Sequence, residues 1–266
     1  MYSPVQLGLK FAQYYLTSSN GKGHGIHSPF VFDFVQNVLN DDRSFYAYEA
    51  IENLRMLLLQ KEEVLTIEDF GAGSRTGLTK ERKVKNIAAS SLKPKKFAQL
   101  LFRMVNYYQP TTIVELGTSL GITTSYLASA KNNSEVYTFE GSKAVANVAK
   151  QNFKQLNLEN ILLTEGNFDE TFSATLNMAL LDVDFAFLDG NHRYQPTINY
   201  FNTLLPHLNE HSIVVFDDIH WSKEMEQAWE EIKQHSSVTL TIDLFFIGII
   251  LFKKEFKVKQ HFVIRF

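Results

Sequence analysis

Two glycines, spaced Gly117-x-x-x-Gly121, follow a short apolar run, Thr112–Leu116, that carries one acid, Glu115. A glycine there lets the backbone turn tightly and approach a ligand, and the start of a following helix offers free N–H groups. The candidate loop is therefore Gly117, Thr118, Ser119 and Gly121, with Glu115 just before it. A second apolar run ends in Glu140-Gly141. An acidic side chain at such a strand end accepts hydrogen bonds from the two hydroxyls of a ribose. A third run is followed by Gly166-Asn167-Phe168, where Asn167 can read an adenine edge and Phe168 can stack on the ring. Each piece alone is ambiguous, since a glycine after a strand is often a plain turn and a strand-end Glu a solvated charge. All three at successive strand ends point to an adenosine-containing cofactor. The dinucleotide pattern Gly-x-Gly-x-x-Gly does not fit the spacing Gly117-x-x-x-Gly121, with Thr118 where the middle glycine would fall one residue early. A second glycine cluster, residues 70–74, precedes no clear helix and reads as loop.

These residues need elements to hold them. From Gln109 onward, short apolar runs alternate with stretches of helical periodicity. The runs are Thr112–Leu116 and residues 136–140, 161–164, 184–188 and 212–216. The helices are Ile122–Ala130, residues 144–156, 168–181 and 197–208, and Lys223–Gln234. Such alternation predicts an α/β fold: a doubly wound, mostly parallel sheet with helices on both faces. Residues 238–243 and 245–252 form two runs with almost no link, which permits a hairpin but no parallel crossover, so the sheet ends in an antiparallel pair. Residues 261–266 suit an extra edge strand. Before Gln109 the chain suits amphipathic helices at Pro4–Thr17 and residues 30–39, 45–60 and 94–108, with a glycine-rich loop at 69–75. The expected division is a helical extension over residues 1–92 and a cofactor-binding domain over 93–266.

Bulk composition narrows the partners. Of 266 residues, 45% are hydrophobic and 21% charged, and the formal net charge is -3. That is ordinary for a globular chain and lacks the basic excess of a general nucleic-acid binder. The basic stretch over residues 80–96 is interrupted by Glu81 and by apolar residues and reads as a solvated linker. There are no cysteines, so disulfides, thiolate metal sites and cysteine nucleophiles are excluded. The first residues carry no basic-then-apolar leader, and the apolar run at 244–252 is too short to span a bilayer, so a cytoplasmic, membrane-free protein is expected. Near the start, Gly23-His24-Gly25-Ile26-His27-Ser28-Pro29-Phe30 reads as a turn before a helix capped by Ser28, although its two histidines could also touch substrate.

The segment from Glu115 to Gly121, Glu140 and the closing hairpin resemble the class I S-adenosylmethionine-dependent methyltransferases, a Rossmann-like family. The segments Phe187-Leu-Asp-Gly-Asn-His-Arg-Tyr194 and Val215-Phe-Asp-Asp-Ile-His-Trp221 are similar to its metal-dependent O-methyltransferase branch, which includes catechol, caffeoyl-coenzyme A and macrolide-sugar types. The resemblance implies S-adenosylmethionine as cofactor and a divalent cation held by Asp189, Asp217 and Asp218. It also implies His192 as the catalytic base, next to Asp189. Three carboxylates at adjacent strand ends would repel one another unless neutralised, and a hard cation such as Mg²⁺ suits them. The alternative gives Asp189 and Asp217 to the methionine end of the cofactor or to helix capping. His220 and Trp221 are placed to line an acceptor pocket, with Trp221 equally suited to core packing.

The activity so implied is O-methylation of a small, hydroxylated, sugar-like acceptor. Nucleic-acid methylation is disfavoured by charge and by the missing cysteine that carbon methylation of cytosine needs. A cofactor-binding module without catalysis and a metal-independent methyltransferase remain the alternatives. A homo-oligomer is compatible with the sequence.

Overall fold

The computed structural model describes residues 1–67 and 81–266. The glycine-rich stretch at 69–75 lies outside the described residues. The chain divides into two compact units: Met1–Asp41 joined with Asp182–Phe266, and Asp42–Leu181. The boundary expected at residue 92 falls within the second of these.

The chain opens with α1 (Pro4–Thr17), whose start is fixed by a capping box. The Gln6 N–H donates to Ser3 Oγ at 3.3 Å, and the Ser3 N–H donates to Gln6 Oε1 at 2.9 Å. The segment from Gly23 to Ser28 is a turn, with the Ile26 N–H donating to the Gly23 carbonyl. Next comes α2 (Pro29–Phe34), which runs on as one π turn, Val35–Leu39. Proline sets its start; the Ser28 side chain makes no capping bond.

The second unit begins with α3 (Tyr46–Leu58), then a small antiparallel pair, β1 (Val64–Thr66) and β2 (Glu81–Lys83), then α4 (Val84–Ser91) and α5 (Lys95–Tyr108). The basic stretch is thus not a linker. Val84, Ile87 and Ala88 give α4 a buried stripe at helical spacing, which the lysines around them obscured. The α/β alternation follows: β3 (Thr112–Leu116), α6 (Ile122–Ala130), β4 (Glu135–Glu140), α7 (Lys143–Gln155), β5 (Ile161–Glu165) and α8 (Phe168–Met178). β3, β4 and β5 pair in parallel, in that order. Every residue of α6 is buried. Its hydroxyl-bearing residues bond inside the unit: Ser125 Oγ donates to the Gly121 carbonyl and Tyr126 Oη to Glu52 Oε1.

The rest of the first unit is β6 (Val183–Leu188), α9 (Tyr194–Leu204), β7 (Leu208–Asp217), α10 (Lys223–Gln234), β8 (Leu240–Asp243), β9 (Ile247–Leu251) and β10 (Gln260–Val263). β6 and β7 are parallel. β9 lies antiparallel between β7 and β8, as a hairpin with β8 requires. The expected edge strand is β10, parallel to β8. α10 buries Met225, Ala228, Trp229 and Ile232, a single stripe at i, i+3, i+4 and i+7. Mostly parallel strands alternating with helices and ending in an antiparallel pair make this the doubly wound α/β fold.

Candidate functional site

In the second unit the strand ends form a continuous cradle. Gly117, Ser119 and Gly121 all have left-handed backbone, φ 103, 49 and 82°. The N–H groups of Gly117 and Thr118 both donate to the Phe139 carbonyl, at 3.1 and 3.0 Å, and pin the loop after β3 to β4. Thr118 Oγ1 lies 2.6 Å from Thr138 Oγ1. Glu140 ties the next two turns together, accepting from the Ser119 N–H at 2.8 Å and the Ser142 N–H at 2.9 Å. Burial pushes its carboxyl up, while the N–H groups of Ser142, Ser119 and Gly141 pull it back towards the charged form. A carboxylate has about four lone-pair sites. Glu140 therefore retains acceptor capacity for hydroxyls after holding its loop.

Other expected cofactor residues take less direct positions. Gly121 is needed for packing: a Cβ there would sit 2.5 Å from Phe153 Cε1. Asn167 caps α8, accepting from the Asp169 N–H at 3.1 Å, and Phe168 is the first residue of that helix. Glu115 is fully buried within β3. Thr124 and Thr138 donate to its Oε2, the latter at 2.7 Å, and its Oε1 has no hydrogen-bond partner among the described residues. Burial raises its carboxyl to about 7 against those two bonds, with the charge of Glu140 adding to the rise. The structure therefore places Glu115 behind the cradle, as part of its support.

The first unit holds the acidic site. Asp189 follows β6, Asp217 ends β7, and the two strands run in parallel register with Leu188 opposite Phe216. One ligand atom each from Asp189, His192 and Asp217 lie within 4.8 Å of one another. His192 Nε2 is 3.4 Å from Asp189 Oδ1, and Asp217 is 2% exposed. Asp218, which belongs to the set implied by resemblance, is not in this group. It leaves the strand in left-handed conformation, φ 54°, with its N–H donating to the Phe246 carbonyl at 2.7 Å. Two carboxylates and an imidazole nitrogen, one of the three in the interior, are a donor set that fits a divalent cation.

Both ring nitrogens of His220 are bonded within the first unit. Its ring is held between Glu226 Oε1 at 3.1 Å and Asp243 Oδ2 at 2.8 Å and stacks on Phe245. Burial works against its charged form, but bonding and charge from Asp243 and Glu226 outweigh that and raise its pKa. Glu226 also accepts from Tyr2 Oη at 2.7 Å and Lys10 Nζ at 2.9 Å. Sequence reading missed Tyr2, Lys10, Glu226 and Asp243, because each looks like a solvated charge or hydroxyl in its own segment. A cavity of about 680 Å³ runs along α10, bordered by Tyr2, Tyr194, Glu226 and Glu231. None of Asp189, His192 and Asp217 lines it, so the chemistry is read from the strand ends.

Residues 114–219 match the family model of a methyltransferase domain. The matched stretch includes Glu115, the glycine loop, Glu140, Asp189, His192 and Asp217. The chain is also 33% identical over 89 residues to an uncharacterized protein of Acanthamoeba polyphaga mimivirus, covering 32% of this chain and 39% of that protein. Among solved structures, an SAH-bound methyltransferase from Podospora anserina superposes with a TM-score of 0.58 at 13% identity, over 96% of this chain and 98% of that one. The O-methyltransferase from Bacillus cereus in complex with SAH gives 0.57 at 18% identity, over 84% and 97%. TomG from Streptomyces achromogenes, an O-methyltransferase involved in tomaymycin synthesis and solved with SAM, gives 0.53 at 18% identity, over 62% and 82%. At these identities the likeness establishes the methyltransferase fold. Among the described residues no helix is long and apolar enough to cross a membrane.

Proposed function

We propose that the protein is an S-adenosylmethionine-dependent methyltransferase that methylates a hydroxyl oxygen of a small, hydroxylated acceptor. The observation that carries the cofactor half is Glu140, whose two oxygens hold the loops after β3 and β4 and keep lone pairs for ribose hydroxyls. In the reaction, the acceptor oxygen bonds to the methyl carbon as the carbon–sulfur bond breaks. The acceptor's proton leaves to solvent, and the products are a methyl ether, S-adenosylhomocysteine and a proton. Asp189, His192 and Asp217 are the chain's groups for an acceptor hydroxyl, because polar groups placed at one point orient a nucleophile. A divalent cation bound by these residues would stabilise the developing negative charge on that oxygen.

The test is calorimetry with S-adenosylmethionine followed by a screen of hydroxylated acceptors for release of S-adenosylhomocysteine. Saturable binding is expected, weakened at least about tenfold in Glu140→Ala, since a charged group's hydrogen bonds contribute roughly 1.5–3 kcal/mol. No heat and no thermal shift with the cofactor would sink the reading. Binding without turnover on any acceptor would favour a cofactor-binding module instead.

A further inference from the structure

We propose that His192 is a metal ligand, forming with Asp189 and Asp217 a two-carboxylate, one-imidazole site for a first-row transition dication, and that Asp218 takes no part in it. The proposal deepens the reading of this cluster given above and rests on it for the role of the cation.

Geometry separates a ligand from a free base. A histidine oriented by a carboxylate donates to it at about 2.7–2.9 Å when the bond is charge-assisted. His192 Nε2 and Asp189 Oδ1 are 3.4 Å apart. That is long for such a bond and close to the separation of two adjacent donors sharing one ion, because ligand bonds of about 2.0–2.2 Å put neighbouring donors roughly 3–3.5 Å apart. The third donor, on Asp217, lies within 4.8 Å of the other two. Parallel pairing of β6 with β7 braces that spacing from outside the loop. Asp217 is 2% exposed, so its donor comes from the interior. In the same loop, the Asn191 side-chain oxygen is shielded from solvent with no hydrogen-bond partner among the described residues.

The donor chemistry then sets the class of ion. Three carboxylates would suit Mg²⁺, which prefers oxygen ligands and keeps its waters. Replacing one carboxylate by an imidazole moves the site towards ions that accept nitrogen, such as Fe²⁺, Co²⁺ or Zn²⁺. Asp218 is not in the group whose ligand atoms lie within 4.8 Å; its backbone is left-handed and its N–H donates to the Phe246 carbonyl.

The experiment is titration of the full, chelator-stripped chain with Co²⁺, followed by visible absorption, with Zn²⁺ and Mg²⁺ as competitors. Almost any mixed site binds Co²⁺ more tightly than Mg²⁺, so the order alone decides nothing; the difference between variants does. One Co²⁺ per chain is expected. His192→Gln should weaken binding at least about tenfold, the loss that even supporting groups around a metal cause, and alter the spectrum. Asp218→Asn should leave affinity and spectrum unchanged. His192→Asp, which returns an oxygen donor, should recover binding and let Mg²⁺ compete better than in the wild type. It also serves if His192→Gln fails to fold, which circular dichroism would reveal. Unchanged Co²⁺ affinity in a folded His192 variant, loss of binding in Asp218→Asn, or no saturable binding would overturn the proposal. Calorimetry with S-adenosylmethionine on the same samples keeps the two readings apart. Cofactor binding without Co²⁺ binding sinks the metal site alone, and Co²⁺ binding without cofactor binding sinks the methyltransferase reading alone.

Discussion

At the scale of single residues, Glu115 shows how far a side chain's type can mislead about its task. From sequence it is an acid beside a glycine loop; in the structure it is sealed in β3, with two threonine hydroxyls and one unsatisfied oxygen. Its carboxyl is raised to about 7 by burial, well above the ordinary 4.5. A raised folded-state pKa means that the folded chain binds the extra proton between those values. The stability this confers is therefore present below about 4.5 and lost as pH rises towards 7, by an amount of order 3 kcal/mol. Glu115→Gln keeps the shape and removes the charge. Its stability is expected to fall less steeply from pH 5 to pH 8 in urea or heat melts than that of the wild type, the remaining decline belonging to groups such as Glu140 and His220. A parallel decline in both proteins would mean that Glu115 does not set this dependence. The place of Glu140 at a strand end was legible from sequence, because it closes an apolar run. The placing of Glu115 was not, because facing in or out depends on which neighbours α6 and β4 supply.

Elements were legible where one periodicity dominates. Thr112–Leu116, Ile122–Ala130 and Lys223–Gln234 fall where apolar spacing puts them. The pair β1 and β2 was not, since three residues carry too little alternation to register, and α4 was hidden by its lysines. Spacing within an element also leaves unsaid how closely two elements approach. Gly248 in β9 would place a Cβ 2.7 Å from Trp229 Cη2 of α10 and 3.0 Å from Ile219. Its φ is not left-handed, so the need for glycine comes from the neighbouring ring and not from the backbone. Gly248→Ala is expected to destabilise the chain by roughly 1–3 kcal/mol, the usual cost of overpacking a tight core. In a double-mutant cycle, Trp229→Leu should make room and couple favourably with Gly248→Ala. Additive losses would show that the crowding is relieved elsewhere.

For the molecule as a whole, the informative fact is that one unit is built from the two ends of the chain. Met1–Asp41 belongs with Asp182–Phe266. Residues hundreds of positions apart join there. Tyr14 Oη donates to the Ile264 carbonyl and accepts from the Phe266 N–H, and Lys10 Nζ pairs with Glu226. Phe11 and Tyr14 pack on Phe245 with ring centroids 5.1 and 5.2 Å apart. Hydrophobic periodicity describes neighbours along the chain and is silent about such pairings. That is why the opening helices read only as an extension over residues 1–92 packed against the α/β core, with none of these pairings foreseen. If they were separable, deleting residues 1–41 would leave the unfolding transition of the remainder intact. Loss of α1 instead strips the cover from Phe245 and leaves the carbonyl of Ile264 and the carboxylate of Glu226 without partners they hold now. The truncated chain is expected to lose a cooperative melt, or to melt well below the full chain. The point variant Tyr14→Phe should already cost about 1–3 kcal/mol, the penalty for leaving buried polar groups unmet. A truncated chain that melts like the full one, together with a silent Tyr14→Phe, would return these helices to the status of an appendage. Depressed stability in both would make the first helix a structural member of the same unit that holds Asp189, His192 and Asp217.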